Sequence, residues 1–184
     1  MGILKRAADL AYTLRFLTLL VTPWEKSEAY KLGLIDGSGK RLKKASSSEE
    51  KNAMTAFHKL VYNVKRLIPG GKLGSYASAL YLIKEGYAVK EAALVNVLKR
   101  KGVDTTDLIH ESAQWYILED DILSPQSYKL THDRLDLDEV YEGDWVHVKM
   151  DNKPVGNFMG INIYEVEHIR TKQKVHVSTH EISI

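Results

Sequence analysis

The spacing of the apolar residues changes once along this chain, and that change sets the fold class. In the first hundred residues apolar side chains such as Leu4, Ala7 and Leu14 recur every three or four positions, which is the repeat of an amphipathic helix. From Asp138 onward they alternate with polar ones, which is the repeat of a half-buried strand. The sequence therefore predicts an α+β protein, with a helical N-terminal bundle followed by a small antiparallel β-barrel.

Turn and capping residues divide the helical half into elements. Thr22-Pro23 ends the first helix, and Ser47 with Glu50 has the capping-box spacing that begins a long helix, which Pro69-Gly70-Gly71 ends. Gly86 and Gly102 stand where helix C-caps belong. Further helices are predicted over residues 24–34, 73–85, 89–101 and 106–123.

The domain boundary is predicted at Ser124-Pro125, where helix signals give way to turns. Residues 1–124 then form a basic helical domain with an acidic last helix, and residues 125–184 form an acidic β module. Within the module, Glu142-Gly143-Asp144-Trp145-Val146 resembles the strand entry of SH3-like barrels. The predicted barrel is accordingly SH3-like.

Charge divides along the same line as structure. Residues 1–101 carry 19 Lys and Arg against 8 Asp and Glu, whereas residues 102–184 carry 7 against 16. A net charge of +11 thus adjoins one of −9, although the whole chain is only +2. Such asymmetry predicts two different partner surfaces, or attraction between the halves within or between chains.

Several function classes find no support in the sequence. The chain has no cysteine, and charged residues such as Lys5, Arg6 and Asp9 interrupt the apolar N-terminal segment, so we predict neither a disulfide framework nor a membrane span. The Gly-rich stretches 37–40 and 69–72 do not fit a nucleotide-hydrolysing loop, but they are candidates for holding backbone phosphates.

Candidate metal ligands are equally sparse. His176, Ser178 and His180 fall on one face of a predicted strand with His168 nearby, but without a carboxylate at a fixed offset, and Glu119 to Asp121 fit a solvated helix end. No nucleophile-elbow sequence frames a serine. We therefore predict a non-enzymatic protein with no metal and no cofactor.

Basic clusters give the strongest functional signal. They lie at the ends of predicted helices and beside the glycine turns, where a bundle can bring them onto one surface for nucleic acid or another polyanion. The alternative is that they complement helix dipoles and keep the domain soluble. The candidate residues are Lys40, Arg41, Lys43, Lys44, Lys65, Arg66, Lys72, Lys99, Arg100 and Lys101. Tyr62, Tyr76, Tyr81 and Tyr87 have helical spacing and are predicted to be core residues rather than base-stacking ones.

Three stretches in residues 1–86 carry a resemblance to a known group of proteins. Residues 28–36, 57–72 and 75–80 resemble small proteins of tailed bacteriophages of the T-even-like myovirus type, which are mostly uncharacterised or virion and head-assembly components. The resemblance implies a location in the virion, or in the host cytoplasm during assembly. It also makes Glu85-Gly86, preceded by Ile83, a possible site for a prohead protease.

Two functions follow as hypotheses. The first is a structural or assembly protein of a phage particle, a two-sided adaptor between a polyanion or acidic neighbour and another protein. The second is a soluble phage-encoded nucleic-acid-binding regulator. The expected partners are other phage structural proteins and DNA but no membrane, and the chain is expected to be an oligomer or part of a symmetric assembly.

Overall fold

The protein combines helices with one antiparallel sheet, so the α+β class is confirmed. The computed structural model describes residues 2–68, 73–105 and 116–184, and of residues 2–9 the backbone only. The helices are α1 (Gly2–Val21), α2 (Glu28–Lys31), α3 (Ser48–Ala53), α4 (Ala56–Arg66), α5 (Ala77–Tyr87) and α6 (Glu91–Arg100). Short 3₁₀ turns occupy Trp24–Lys26, Leu73–Tyr76, Glu119–Asp121 and Thr179–Glu181.

The long helix predicted to begin at Ser47 is in fact two helices. The Ser47 hydroxyl accepts the Glu50 N–H at 3.1 Å and caps α3 as expected. Met54 then leaves the helical region with φ −135°, and the Thr55 hydroxyl accepts the His58 N–H to begin α4. The sequence prediction missed this break because a continuous apolar face masks a second N-cap.

Two helix ends also differ from the prediction. Gly86 lies inside the last turn of α5, and Ala88 takes the left-handed conformation, with φ 52°, that ends that helix. Gly102 does adopt φ 80° after α6, as a glycine at that position should. The helix predicted over residues 24–34 is a 3₁₀ turn followed by the short α2.

The prediction of an acidic helix over residues 106–123 is wrong for residues 116–123. Residues 106–115 lie outside the described residues. At the C-terminal end, Ile117 pairs with Leu123 in an antiparallel bridge, and the Glu119–Asp121 turn closes the loop between them. Asp120 and Asp121 have positive φ, which a helix cannot accommodate.

In the described part of the chain, six strands form the sheet: β1 (Ser127–Leu130), β2 (Trp145–His147), β3 (Gly156–Phe158), β4 (Ile161–His168), β5 (Lys174–Val177) and β6 (Ile182–Ser183). Their order is β3-β4-β2-β1-β6, with β5 also paired to β4, and every pairing is antiparallel. Among the described strands no pairing closes the sheet into a barrel. Strand β1 begins before Asp138 and was not predicted, since four residues give too short an alternation.

The helices pack directly against the sheet. Phe158, Ile161 and Ile163 from β3 and β4 belong to the same buried cluster as residues of α4, α5 and α6, such as Val61 and Leu80. The predicted boundary at residue 124 is therefore crossed by a shared apolar core. Division into two domains stays a prediction.

A second contact between the halves lies next to the loop of residues 36–47, which we call the basic loop. Leu34, Ile35, Met54 and Tyr62 form a small buried cluster with Leu135 of the β module. This cluster holds residues 36–47 close to residues 133–141. It thereby sets the position of the candidate binding residues.

Candidate functional site

The turn before the basic cluster is organised by Asp36. Its carboxylate accepts the backbone N–H groups of Ser38 and Lys40, each at 2.9 Å, and the Ser38 hydroxyl at 2.7 Å. These bonds lower the pKa of Asp36, the Ser38 hydroxyl most of all. Residues 37–40 were predicted to hold a phosphate through their backbone N–H groups, and two of these groups, those of Ser38 and Lys40, already have this carboxylate as partner. Phosphate binding at this turn stays a prediction. The second candidate turn, 69–72, lies outside the described residues.

Glu50 fastens the far end of the same loop. Its carboxylate accepts the Ser46 N–H at 2.9 Å and the Lys43 ammonium at 3.1 Å. The Ser46 N–H, followed by Lys43, lowers the pKa of Glu50 to about 2. The basic loop is therefore a defined structure between two carboxylates.

Arg41 ties the loop to the β module. Its guanidinium donates to the carbonyl oxygens of Leu135 and Leu137 and lies 3.9 Å from the Asp138 carboxylate. Its side chain is only 16% exposed. Arg41 was predicted to contact a polyanion, but its described partners give it a positioning role.

Lys43 and Lys44 remain at the surface. Their side chains are 51% and 75% exposed; Lys43 pairs with Glu50 at 3.1 Å and Lys44 with Asp138 at 3.0 Å. The Lys44 pair is exposed on both sides and therefore weak, because water and salt screen it. Glu50 is only 15% exposed, but about half of the Lys43 side chain stays accessible to a ligand.

Lys43 and Lys44 line a cleft that sequence analysis did not foresee. One part, of about 260 Å³, is lined by Arg41, Lys43, Lys44, Ala45, Lys51, Met54, Lys59 and Asp138. The adjoining part, of about 470 Å³, is lined by Arg41, Leu42, Lys43, Lys44, Asp138, Glu139 and Tyr141. We call the two parts together the basic cleft. Lys51 and Lys59 were missed because their approach to the loop depends on the break between α3 and α4.

Positive charge accumulates in the basic cleft. Burial lowers the pKa of Lys59, and the nearby Arg41 and Lys44 charges lower it too, against the opposing effect of Asp138 and Asp136. Burial and the positive neighbours both disfavour the charged form of Lys59, so a further positive charge in the basic cleft is unfavourable. An anion entering the cleft would relieve that repulsion.

Predicted basic residues at the C-terminal ends of α4 and α6 lie near the Gly39 turn and Trp24. A Cβ at Gly39 would lie 2.6 Å from the Trp24 ring and 3.0 Å from the Arg66 side chain, and the Lys65 ammonium lies 4.1 Å from the centre of that ring. The charge of Lys101 also contributes to the lowered pKa of Lys65, which burial causes first. Lys65 and Arg66 therefore lie beside the Gly39 turn, with the charge of Lys101 near Lys65.

Not every converging cation faces solvent. Lys65 donates to the Thr22 carbonyl oxygen, and Arg66 contacts the Asp133 carboxylate through two nitrogens at 3.3 Å. Lys40, Lys99, Arg100 and Lys101 are exposed. Lys72 lies outside the described residues.

A buried ionic network lies at the junction of the halves. The Arg134 guanidinium donates to the Ser78 hydroxyl at 2.7 Å, and that hydroxyl donates to Glu181 at 2.6 Å. Arg134 and Glu181 are 3.1 Å apart, with side chains 6% and 4% exposed. Burial raises the pKa of Glu181, while Arg134, Ser78 and Ser178 oppose this.

Next to this network is a polar cavity of about 90 Å³. It is lined by Asn63, Arg66, Leu67, Ser75, Tyr76, Ala79, His132, Asp133, Arg134, Glu142 and Glu181. Burial lowers the pKa of His132, and Arg134 and Arg66 act in the same direction. The neutral His132 ring and the ion pairs of Arg134 and Arg66 are polar groups to which water can hydrogen-bond. Polar cavities of this size hold water, so the cavity fits a hydrated junction between the halves.

One arrangement is similar in form to a catalytic triad. The Thr171 N–H donates to Nδ1 of His168 at 3.1 Å, so the Nε2–H faces Asp144 at 2.9 Å, and the Thr171 hydroxyl lies 2.7 Å from Nδ1. His168 is only 1% exposed and is the last residue of β4, directly before the turn to β5. The contacts satisfy buried polar groups and fix the turn, and the cavity and cleft described above do not include these residues in their linings.

The remaining sequence candidates are dispersed. Within residues 2–68, 73–105 and 116–184, no three His, Cys, Asp or Glu residues are grouped as metal ligands. His176 faces Glu165 at 3.8 Å, while His168 pairs with Asp144. Across the same described residues, no helix combines the length and hydropathy needed to cross a membrane. Tyr62 and Tyr76 lie in the core as predicted, and Tyr81 and Tyr87 are partly buried.

Comparison with known proteins adds no family assignment. No protein-family model, no curated protein and no solved structure matches the chain. The resemblance of residues 1–86 to phage proteins therefore stays a prediction.

Proposed function

We propose that this chain is a non-enzymatic binding protein, a structural or assembly component of a tailed-phage particle that joins a polyanion to another protein. The observation that carries the binding half of this proposal is the basic cleft. Lys43, Lys44, Lys51 and Lys59 are gathered there with Arg41, and the pKa of Lys59 is lowered partly by its positive neighbours. A polyanion would supply the charge that the cleft lacks.

The second half of the proposal concerns the β module. Its sheet is built from antiparallel strands, most of them four residues or shorter, which supports a relationship to SH3-like barrels. The acidic turn Glu119–Asp121 is exposed, with Tyr116 and Ile117 packed against the core of the module beside it. We propose that this acidic side docks another structural protein, and that the helices form a bundle around α4 and α5.

Binding to duplex DNA at several salt concentrations tests the polyanion site. Each phosphate contact contributes about −0.9 to the slope of log affinity against log salt. The double variant Lys43→Ala with Lys44→Ala should therefore bind more weakly, and the magnitude of its slope should be smaller by about 2. Arg41 is left unchanged because its contacts with Leu135 and Leu137 stabilise the fold.

A matched control removes two exposed lysines elsewhere. Lys149 and Lys153 lie in the β module, outside the basic cleft. The double variant Lys149→Ala with Lys153→Ala has the same net charge as the cleft variant and should keep the wild-type slope. Equal slopes for all three proteins would contradict a specific polyanion site in the cleft.

The alternative function is a soluble phage-encoded nucleic-acid-binding regulator, which the same cleft favours. The two differ in location and stoichiometry. A particle component should be found in purified virions at a fixed, symmetric copy number, whereas a regulator should be absent from them and present only in the host cytoplasm. Quantitative mass spectrometry of purified particles distinguishes these outcomes.

The same mass spectrum tests processing at Glu85-Gly86. Both residues are exposed but lie in the last turns of α5, and Ile83 is buried in the helical core. A protease that binds an extended segment would first have to open this helix. An intact chain in mature particles would contradict processing.

A further inference from the structure

The outer part of the basic cleft carries two exposed apolar side chains among its cations. Leu42 is 61% exposed and Tyr141 is 49% exposed, and both line the 470 Å³ space together with Lys43 and Lys44. A cleft of this volume is large enough for a small organic group. Apolar surface in such a space favours a ligand that carries an apolar or aromatic group in addition to its charges.

Tyr141 is presented by a fixed turn. Its backbone N–H donates to the Asp144 carboxylate at 3.0 Å, and its carbonyl oxygen accepts the Asp144 N–H at 3.1 Å. Glu139, two residues before Tyr141, has its carboxylate 3.7 Å from the Arg170 guanidinium. The exposed ring therefore stands on a hydrogen-bonded support rather than on a free end.

Two carboxylates complete the lining. Asp138 has its pKa lowered by the Lys44 ammonium, so it is ionised at neutral pH and accepts hydrogen bonds. Glu139 is 72% exposed. Ionised carboxylates repel phosphates and acidic side chains, but they accept hydrogen bonds from the amino groups of cytosine, adenine and guanine.

We propose that the basic cleft binds single-stranded nucleic acid, with phosphates on Lys43 and Lys44 and a base stacked on Tyr141. The proposal rests on the polyanion-binding function proposed above and specifies its ligand. Proteins that bind single strands usually combine cations that contact the phosphate backbone with an aromatic ring on which a base stacks. In a duplex the bases are stacked inside, so the ring would gain nothing. Asp138 and Glu139 oppose the charge of an acidic peptide as they oppose phosphates, but the side chains of such a peptide offer them no base amino group as a hydrogen-bond donor.

Fluorescence anisotropy with labelled twelve-nucleotide oligo-dC, and with a duplex of equal length, tests this proposal. Tyr141→Ala should lower affinity for oligo-dC by about 5- to 150-fold, because stacking contributes about 1–3 kcal/mol per base. It should leave the salt slope unchanged, since no phosphate contact is lost. Tyr141→Phe should bind like the wild type.

Tyr30→Ala is the matched control, because Tyr30 is 39% exposed and lies on α2 outside the cleft lining. It should not change affinity. Leu42→Ala provides a second variant in the cleft and should weaken oligo-dC binding in the same direction as Tyr141→Ala. Circular dichroism of each variant verifies its fold.

The outcomes separate this proposal from the one on which it rests. If the Lys43 and Lys44 variant binds weakly but Tyr141→Ala binds oligo-dC like the wild type, the base-stacking proposal is overturned and the polyanion site stands. Equal affinity for duplex and single strand, or displacement of oligo-dC by polyglutamate at equal charge, would also overturn it. If neither the lysines nor Tyr141 affect binding, both proposals fail.

Discussion

At the scale of single residues, several charged side chains act within the fold rather than at its surface. Arg41 and Arg66 were candidate ligand contacts by sequence, but Arg41 donates to the Leu135 and Leu137 carbonyls and Arg66 pairs with Asp133. Sequence analysis correctly identified a basic loop after Gly39. It could not separate Arg41 from Lys43 and Lys44, because their difference arises from carbonyl groups about 95 residues away.

The buried pair of Arg134 and Glu181 gives a residue-scale prediction. Arg134→Met leaves Glu181 buried without its cation, and removing one member of such a pair costs about 3–5 kcal/mol. Urea unfolding should show a loss of this size in the free energy of unfolding. The double variant Arg134→Met with Glu181→Leu removes both charges and should regain part of the loss.

The control is Arg170→Met, which removes an arginine whose side chain is 52% exposed. It should cost less than about 1 kcal/mol, since exposed pairs contribute little. If Arg134→Met is no more destabilising than Arg170→Met, the junction network does not join the halves as described.

At the scale of elements, the join between α5 and β3 depends on a close approach. Gly156 lies against the Tyr81 ring, and a Cβ at this glycine would overlap that ring. The Tyr81 hydroxyl donates to the Val155 carbonyl at 3.3 Å, and Lys84 donates to the Asn157 carbonyl at 2.8 Å. The alternation of apolar and polar residues from Asp138 onward predicted strands in this region but did not indicate that a helix packs against them.

Gly156→Ala should therefore destabilise the protein by about 1–3 kcal/mol, the usual effect of overpacking. Thermal unfolding measures the loss. Tyr81→Ala should relieve the overlap, so the double variant should be destabilised by less than the sum of the two single changes. Gly86→Ala is the control, because nothing lies within 4 Å of a Cβ at that position and its backbone is helical. Equal effects of the two glycine substitutions would contradict the close approach.

At the scale of the whole molecule, the charge division is partly neutralised inside the chain. Arg41, Lys44 and Arg66 of the helical half meet Asp138 and Asp133 of the β module. The sequence predicted attraction between the halves but left open whether it acts within or between chains. Opposite net charges do not specify geometry, and the tertiary contacts that bring residues 41–44 beside residue 138 arise only on folding.

The fold class was predictable because apolar spacing is a local property, and the capping signals at Ser47 and Gly102 are local too. The break at Met54, strand β1 and the cleft itself were not predictable, since each depends on packing between distant segments. Lys59 and Tyr141 are 82 residues apart in sequence. No spacing rule relates them, and only the folded chain brings both to the basic cleft.

The pKa of Lys59, measured by NMR with and without a bound polyanion, tests the central claim most directly. Burial and the neighbouring cations lower this pKa in the free protein. An anion in the cleft favours the charged lysine, so binding should raise the pKa, and affinity should fall as pH rises through the two values. The control is the double variant Lys149→Ala with Lys153→Ala, whose two lysines lie outside the cleft lining, and in which binding should raise the pKa of Lys59 as much as in the wild type. A Lys59 pKa that stays the same at saturating polyanion would contradict binding in the basic cleft.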